Sequence, residues 1–92
     1  MTQAEIRALL KRCDARQLRE ESGISAYTVQ RALGISRFDL ARWETGKAIP
    51  WDPRGIRWAR LIAVLERHAL VTAEMAATED GSSGATGEAA AA

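Results

Sequence analysis

The sequence predicts an all-α fold of four to five short helices, and three observations carry that prediction. Val, Ile, Thr and the aromatic residues nowhere alternate with the period of two that a half-buried strand needs. Apolar residues recur instead at spacings of three and four, the signature of a helix with one buried face. The recurrent stretches also open on Thr, Asp or Ser, and three of them are followed by Gly, as caps and left-handed stops require.

Thr2 with Glu5 forms a capping box, so the first helix spans 2–13, with Ile6, Leu9, Leu10 and Cys13 as its apolar stripe. Asp14 with Gln17 repeats the capping pattern, so the chain breaks or kinks there and a second helix covers 14–22, stopped by Gly23. Ser25 caps "AYTVQRAL", which places Ala26, Val29 and Leu33 on one side and ends at Gly34. Ser36 caps the next helix, with Asp39 at its third position and Gly46 at its end. Asp52 and Pro53 suit the N-cap and first position of a longer helix to about Leu70, extendable through "VTAEMA". Its expected buried side is Ile56, Ala59, Ile62, Ala63, Leu65 and Ala69.

Ninety-two residues suffice for one domain with a modest core. The net charge of +1 hides an asymmetry: residues 1–72 hold all 13 Lys and Arg against 8 acids, whereas residues 73–92 hold 4 acids and no base. We therefore expect a basic domain over 1–75, with a helix-turn-helix unit at 25–45, followed by a flexible, acidic tail rich in Ala, Gly and Ser over 76–92. A basic body is compatible with a polyanion partner. One cysteine, Cys13, allows no internal disulfide, and with a single histidine, His68, it makes no metal site. No cofactor and no small-molecule ligand are expected. The apolar runs are too short to span a membrane, and charges fill the start of the chain where a signal peptide needs an apolar block, so a cytoplasmic location is expected. There is no nucleophile–base pair and no phosphate loop, so no enzyme is expected.

Two short helices joined across Gly34, Ile35 and Ser36 make the helix-turn-helix unit. At ~100° per residue, the second of them divides cleanly. Leu40, Trp43 and Glu44 turn inward; Phe38, Arg42 and Thr45 turn outward, and Arg37 projects from the first turn. A phenylalanine between two arginines suits a DNA major groove. Arginine offers two parallel donors to guanine, and an apolar ring can pack on a thymine methyl. An inward carboxylate at Glu44 needs a partner, because an unpaired one would be costly to bury.

The stretch Leu18 to Pro50 resembles the Cro/repressor-type helix-turn-helix domains (the XRE family). The matching residues are Leu18-Arg19 ahead of Gly23, Leu33-Gly34, Ser36, Leu40, and the "E-x-G-x-x-x-P" ending at Glu44, Gly46 and Pro50. The resemblance implies a lambda-repressor-like fold and a structural ion pair between Arg19 and Glu44. It implies base contacts from Arg37, Phe38 and Arg42, with Thr45 as a weaker one. It implies phosphate contacts from Ser25, Tyr27, Ser36, Lys47 and Arg54. The chain departs from the pattern in two places. Gln30 stands where the family prefers alanine between the two helices, so either the helices cross further apart or Gln30 bends out to solvent. Ala26 stands where the family often has a phosphate-binding glutamine. The helix 2–13 has no counterpart in the resemblance.

The implied function is a small phage Cro-like regulator that binds double-stranded operator DNA through the helix 36–45. A homodimer is one arrangement open to it, through the last helix or the extra first helix. The alternative is an antitoxin-type or other protein-interaction module of the same fold that also binds its own promoter, with the acidic tail as its partner-binding segment.

Overall fold

A computed structural model describes residues 1–82. Five helices follow one another: α1 Gln3–Arg12, α2 Ala15–Glu21, α3 Ala26–Leu33, α4 Arg37–Glu44 and α5 Pro53–Ser82. There is no strand among the described residues.

The first four helices are each held at their start by the side chain that the sequence offers. Thr2 and Glu5 form the complete capping box, each side chain bonded to the other's backbone N–H at 3.1 and 2.7 Å. Asp14 accepts from the Gln17 amide at 3.1 Å, but the Gln17 side chain turns to Glu21 rather than back to the cap. Ser25 accepts from Thr28 and Ser36 from Asp39, at 3.1 and 3.0 Å. Each such cap contributes roughly 1 kcal/mol.

Gly34 and Gly55 are each required, the first by conformation and the second by space. Gly34 takes φ +66°, the left-handed backbone that lets α3 stop and the chain reverse into α4 at little cost. Gly55 is needed for another reason: a Cβ there would lie 2.5 Å from the Pro50 Cβ. Pro50, itself fully buried, thus rests directly on the first turn of α5.

α5 is the spine. It packs against α1, α2 and α3, and α3 packs against α4. The core joins Ile6 and Leu9 of α1, Ala15 of α2, Val29 of α3, Leu40 and Trp43 of α4, and Trp58, Ala59, Ile62 and Leu65 of α5. Burying each of the larger aliphatic side chains contributes roughly 1.5–3 kcal/mol. Trp43 and Trp58 meet in a tilted pair, centroids 5.5 Å apart, so α4 is fastened to α5 through two rings. The Trp58 indole N–H is buried without a protein acceptor.

The expected buried side of α5 holds for Ala59, Ile62 and Leu65, with Ile56, Ala63 and Ala69 half-buried. Its expected end does not hold. The helix passes Leu70 and Ala76 and runs to Ser82. The reason is local: from Leu70 to Asp80 the sequence holds no Gly or Pro and is rich in Ala and Glu, which are strong helix formers. Residues 83–92 of the expected tail lie outside the described residues.

Candidate nucleic-acid interface

The turn between α3 and α4 is fixed by three bonds. The Ile35 amide returns to the Gln30 carbonyl at 3.1 Å, the Ser36 hydroxyl accepts from Asp39, and Arg54 of α5 donates to the Gly34 carbonyl at 2.9 Å. Ile35 is buried and anchors the turn to the core. α4 therefore leaves the body at a set angle.

The inward face of α4 is closed by charge as well as by Leu40 and Trp43. Arg19 Nε donates to Glu44 Oε2 at 2.6 Å and Nη2 to Oε1 at 3.3 Å, while Nη1 donates to the Ile24 carbonyl at 2.9 Å. The two side chains are only 9% and 6% exposed. The hydrogen bonds to Glu44 hold the Arg19 guanidinium even above its ordinary pKa, against the desolvation that opposes it. This bidentate pair ties α2 to the end of α4.

The outward face is built differently. Phe38 is 69% exposed, and the Arg42 guanidinium carbon lies 5.3 Å from its ring centroid. At this distance a cation–π contact contributes roughly 0.5–1 kcal/mol when exposed. Arg42 Nη1 also lies 3.6 Å from Asp39 Oδ1, too long for a good hydrogen bond. The planar fork of Arg42 is thus oriented by weak contacts on two sides. Arg37, at the first position of the helix, is exposed. Thr45, exposed at the C-cap, donates its hydroxyl to the Ala41 carbonyl at 2.8 Å, so only its oxygen remains to accept.

The remaining predicted positions flank this helix. Ser25, Tyr27 and Ser36 are exposed at the starts of α3 and α4, and Lys47 is exposed just beyond α4. Arg54 is exposed yet seated on the turn through Gly34. The structure thus gathers Ser36, Arg37, Phe38, Arg42 and Thr45 on α4 and its caps, and joins Arg54 to that unit. No hydrogen bond among the described residues links Ser25, Tyr27 or Lys47 to α4's outward side chains.

Arg31 has no role predicted from the sequence. It lies over the Tyr27 ring, 5.7 Å from its centroid, and donates to the phenol oxygen at 3.0 Å. It positions Tyr27 as Arg42 contacts Phe38, and the shared i, i+4 spacing is the signal that could have found it. Gln30 is half-buried. With Ala26, Arg37 and Ala41 it lines a recess of about 200 Å³ where α3 approaches α4.

Among the described residues, no group of three His, Cys, Asp or Glu could hold a metal ion. Cys13 is half-buried, its thiol donates to the Leu9 carbonyl at 3.1 Å, and burial pushes its pKa up. No helix is long and apolar enough to cross a membrane among the residues described.

Over residues 12–78 the sequence matches a family described as the helix-turn-helix domain. No curated protein and no solved structure matches the chain. The match begins at the end of α1, so almost all of α1 lies outside it.

Proposed function

The chain belongs to the helix-turn-helix family of DNA-binding domains, and from that premise we propose that it is a Cro-like regulator of the Cro/repressor (XRE) class. It binds a double-stranded operator sequence-specifically, with 1–75 as the binding unit, and blocks polymerase or a competing repressor by occupancy. The observation that carries this reading is the split of α4: its inner side is locked by the Arg19–Glu44 pair, while its outer side presents Phe38 beneath Arg42.

In this reading Arg37 and Arg42 donate to guanine O6 and N7, and the Phe38 ring packs on a thymine methyl. The Thr45 oxygen accepts from a base edge. Ser25, Tyr27, Ser36, Lys47 and Arg54 hold the phosphates on either side and set the register without reading sequence. Binding alone performs the function, and no bond is made or broken.

The test is selection of bound sequences from a random DNA pool by the wild type and by Arg37→Ala/Arg42→Ala. The wild type is expected to return a defined half-site containing guanines, and the double variant is expected to lose preference at those positions. An unchanged consensus in the double variant would show that α4 is not the reading helix.

A further inference from the structure

The chain holds three tryptophans, one tyrosine and one phenylalanine, and the core takes Trp43 and Trp58. The aromatic side chains left outside it, Tyr27, Phe38 and Trp51, lie on α3, on α4 and on the segment that leaves α4. Tyr27 and Phe38 each have an arginine over the ring, whereas Trp51 has neither a cation nor an aromatic partner among the described residues. Trp51 is 64% exposed. So open a position is uncommon for tryptophan, whose ring is among the largest apolar surfaces a side chain can bury. Its backbone is nevertheless pinned. Pro50 before it is fully buried against Gly55. Asp52 after it accepts from the Gly55 amide through its carboxylate at 2.7 Å and from the Ile56 amide through its carbonyl at 2.9 Å. The ring is therefore held at the surface on a fixed stretch of chain.

The segment that carries Trp51 is anchored at both ends of α4. The Lys47 and Ala48 amides donate to the Arg42 carbonyl at 2.9 and 3.3 Å, and Arg54 donates to the Gly34 carbonyl, just ahead of α4, at 2.9 Å. Trp51 stands between these anchors, with Lys47 before it and Arg54 after it. We propose that the Trp51 ring packs on the deoxyribose of the DNA strand whose phosphates Lys47 and Arg54 hold; this rests on the reading of α4 as the helix in the groove. A helix fills the width of a major groove, so a segment anchored alongside it meets the groove's wall of sugar and phosphate. The sugar carbons are the apolar part of that wall. Charge selects DNA over a second copy of the chain as the occupant. Lys47, Arg54 and Arg57 are exposed around Trp51 and form no ion pair among the described residues, while the Asp52 carboxylate is engaged by the cap. A two-fold contact here would set these cations against their own copies, whereas a phosphate strand neutralises them. The pinned backbone and the two side-chain torsions of tryptophan keep the cost of ordering low. The contact reads no base and releases no counterion, so it adds affinity that is indifferent to sequence and to salt.

Tryptophan emission tests this in the full chain. Trp43 and Trp58 are 7% and 0% exposed, so acrylamide, a neutral quencher, reads Trp51. The free protein is expected to show a quenchable, red-shifted component that Trp51→Phe lacks. Saturating unlabelled duplex of the selected sequence is expected to shield that component and shift it to the blue. Trp51→Ala, at an exposed position, is expected to keep the wild-type melting temperature and to bind selected and unrelated duplexes alike roughly tenfold more weakly. Its salt dependence is expected to match wild type, in contrast to a lost phosphate contact. Anisotropy of a labelled duplex reads binding separately. Binding that leaves Trp51 open to acrylamide would overturn this inference alone, whereas failure to bind any duplex would remove the reading of α4 with it. Shielding that grows with protein concentration in the absence of DNA would show that a second copy covers the ring, and would overturn the proposal. So would a Trp51→Ala loss confined to the selected sequence, which would make Trp51 a base reader.

Discussion

Among the described residues two ion pairs involve α4, and they lie on opposite sides of the same helix. Arg19–Glu44 is bidentate, 2.6 Å at its shorter contact, with side chains 9% and 6% exposed. Arg42–Asp39 is 3.6 Å long, with side chains 43% and 42% exposed. Both join an arginine to a carboxylate, and their surroundings decide what each can do. Within the body, water cannot replace a lost partner, so either charge alone would be left desolvated. On the outer face, water replaces it readily, and the pair contributes at most about 1 kcal/mol. The first pair can only hold structure. The second can exchange its partner for a base or a phosphate without loss to the fold.

The largest test of this contrast is removal of the inner carboxylate. Glu44→Ala is expected to cost roughly 3–5 kcal/mol, read as a shifted urea midpoint. Asp39→Ala, on the outer face, is expected to stay within about 1 kcal/mol of wild type. Equal losses in the two variants would erase the distinction. Next in size is Arg42→Ala, which is expected to remove roughly 1–3 kcal/mol of discrimination at a single base position. Competition binding against operators substituted one position at a time measures it. The fold should scarcely respond, since the Arg42 guanidinium meets Phe38 and Asp39 on the outer face of α4.

Much of this contrast is legible in the sequence because it depends on short-range spacing. Ser36 and Gly46 bound α4, and ~100° per residue then separates Glu44 from Arg42. The caps at Thr2, Asp14, Ser25 and Ser36 are likewise local rules, and the structure shows each bond. What escapes the sequence depends on approach through space. Of the two tryptophans that flank the start of α5, the sequence offers at least one to the core without saying which; the structure exposes Trp51 and buries Trp58. Its place is set by Trp43 on another helix. Gly55 reads as ordinary helix-start sequence, and only the descent of Pro50 onto it explains why a side chain is excluded. Arg54 is identifiable as a cation near the motif, but its seat on the Gly34 carbonyl is a contact across 20 residues. The full length of α5 is within reach of propensity, which favours helix through Ala76 and Ala77, but the acidic, low-complexity composition of the chain from Thr78 onward masks it.

A smaller effect sharpens the outer half of the comparison. Lys47 is exposed and forms no ion pair among the described residues. Lys47→Ala is expected to weaken all DNA sequences alike and to reduce the salt dependence of binding by about one counterion. Affinities measured over a salt series for the operator and for unrelated DNA check both parts. A change confined to the operator would move Lys47 from phosphate contact to base reading.

Between the two extremes lies Arg12–Glu66, which ties α1 to α5 with bonds of 2.7 and 2.9 Å and side chains 53% and 19% exposed. The hydrogen bonds from Arg12 hold the Glu66 carboxyl below its ordinary value of 4.5. The sign of its effect comes from linkage. A carboxyl with a depressed folded pKa binds protons more weakly than the unfolded chain does, so its contribution is complete above the ordinary glutamate range. It is lost as pH falls through the depressed value. Wild type is therefore expected to melt slightly higher than Glu66→Gln at neutral pH, and the gap is expected to close in acid and to narrow in high salt. This is the smallest effect of the series, because Arg12 remains open to water. A gap that persisted unchanged into acid would mean that Glu66 holds α1 by packing rather than charge, and the structural role of charge would then rest on Arg19–Glu44.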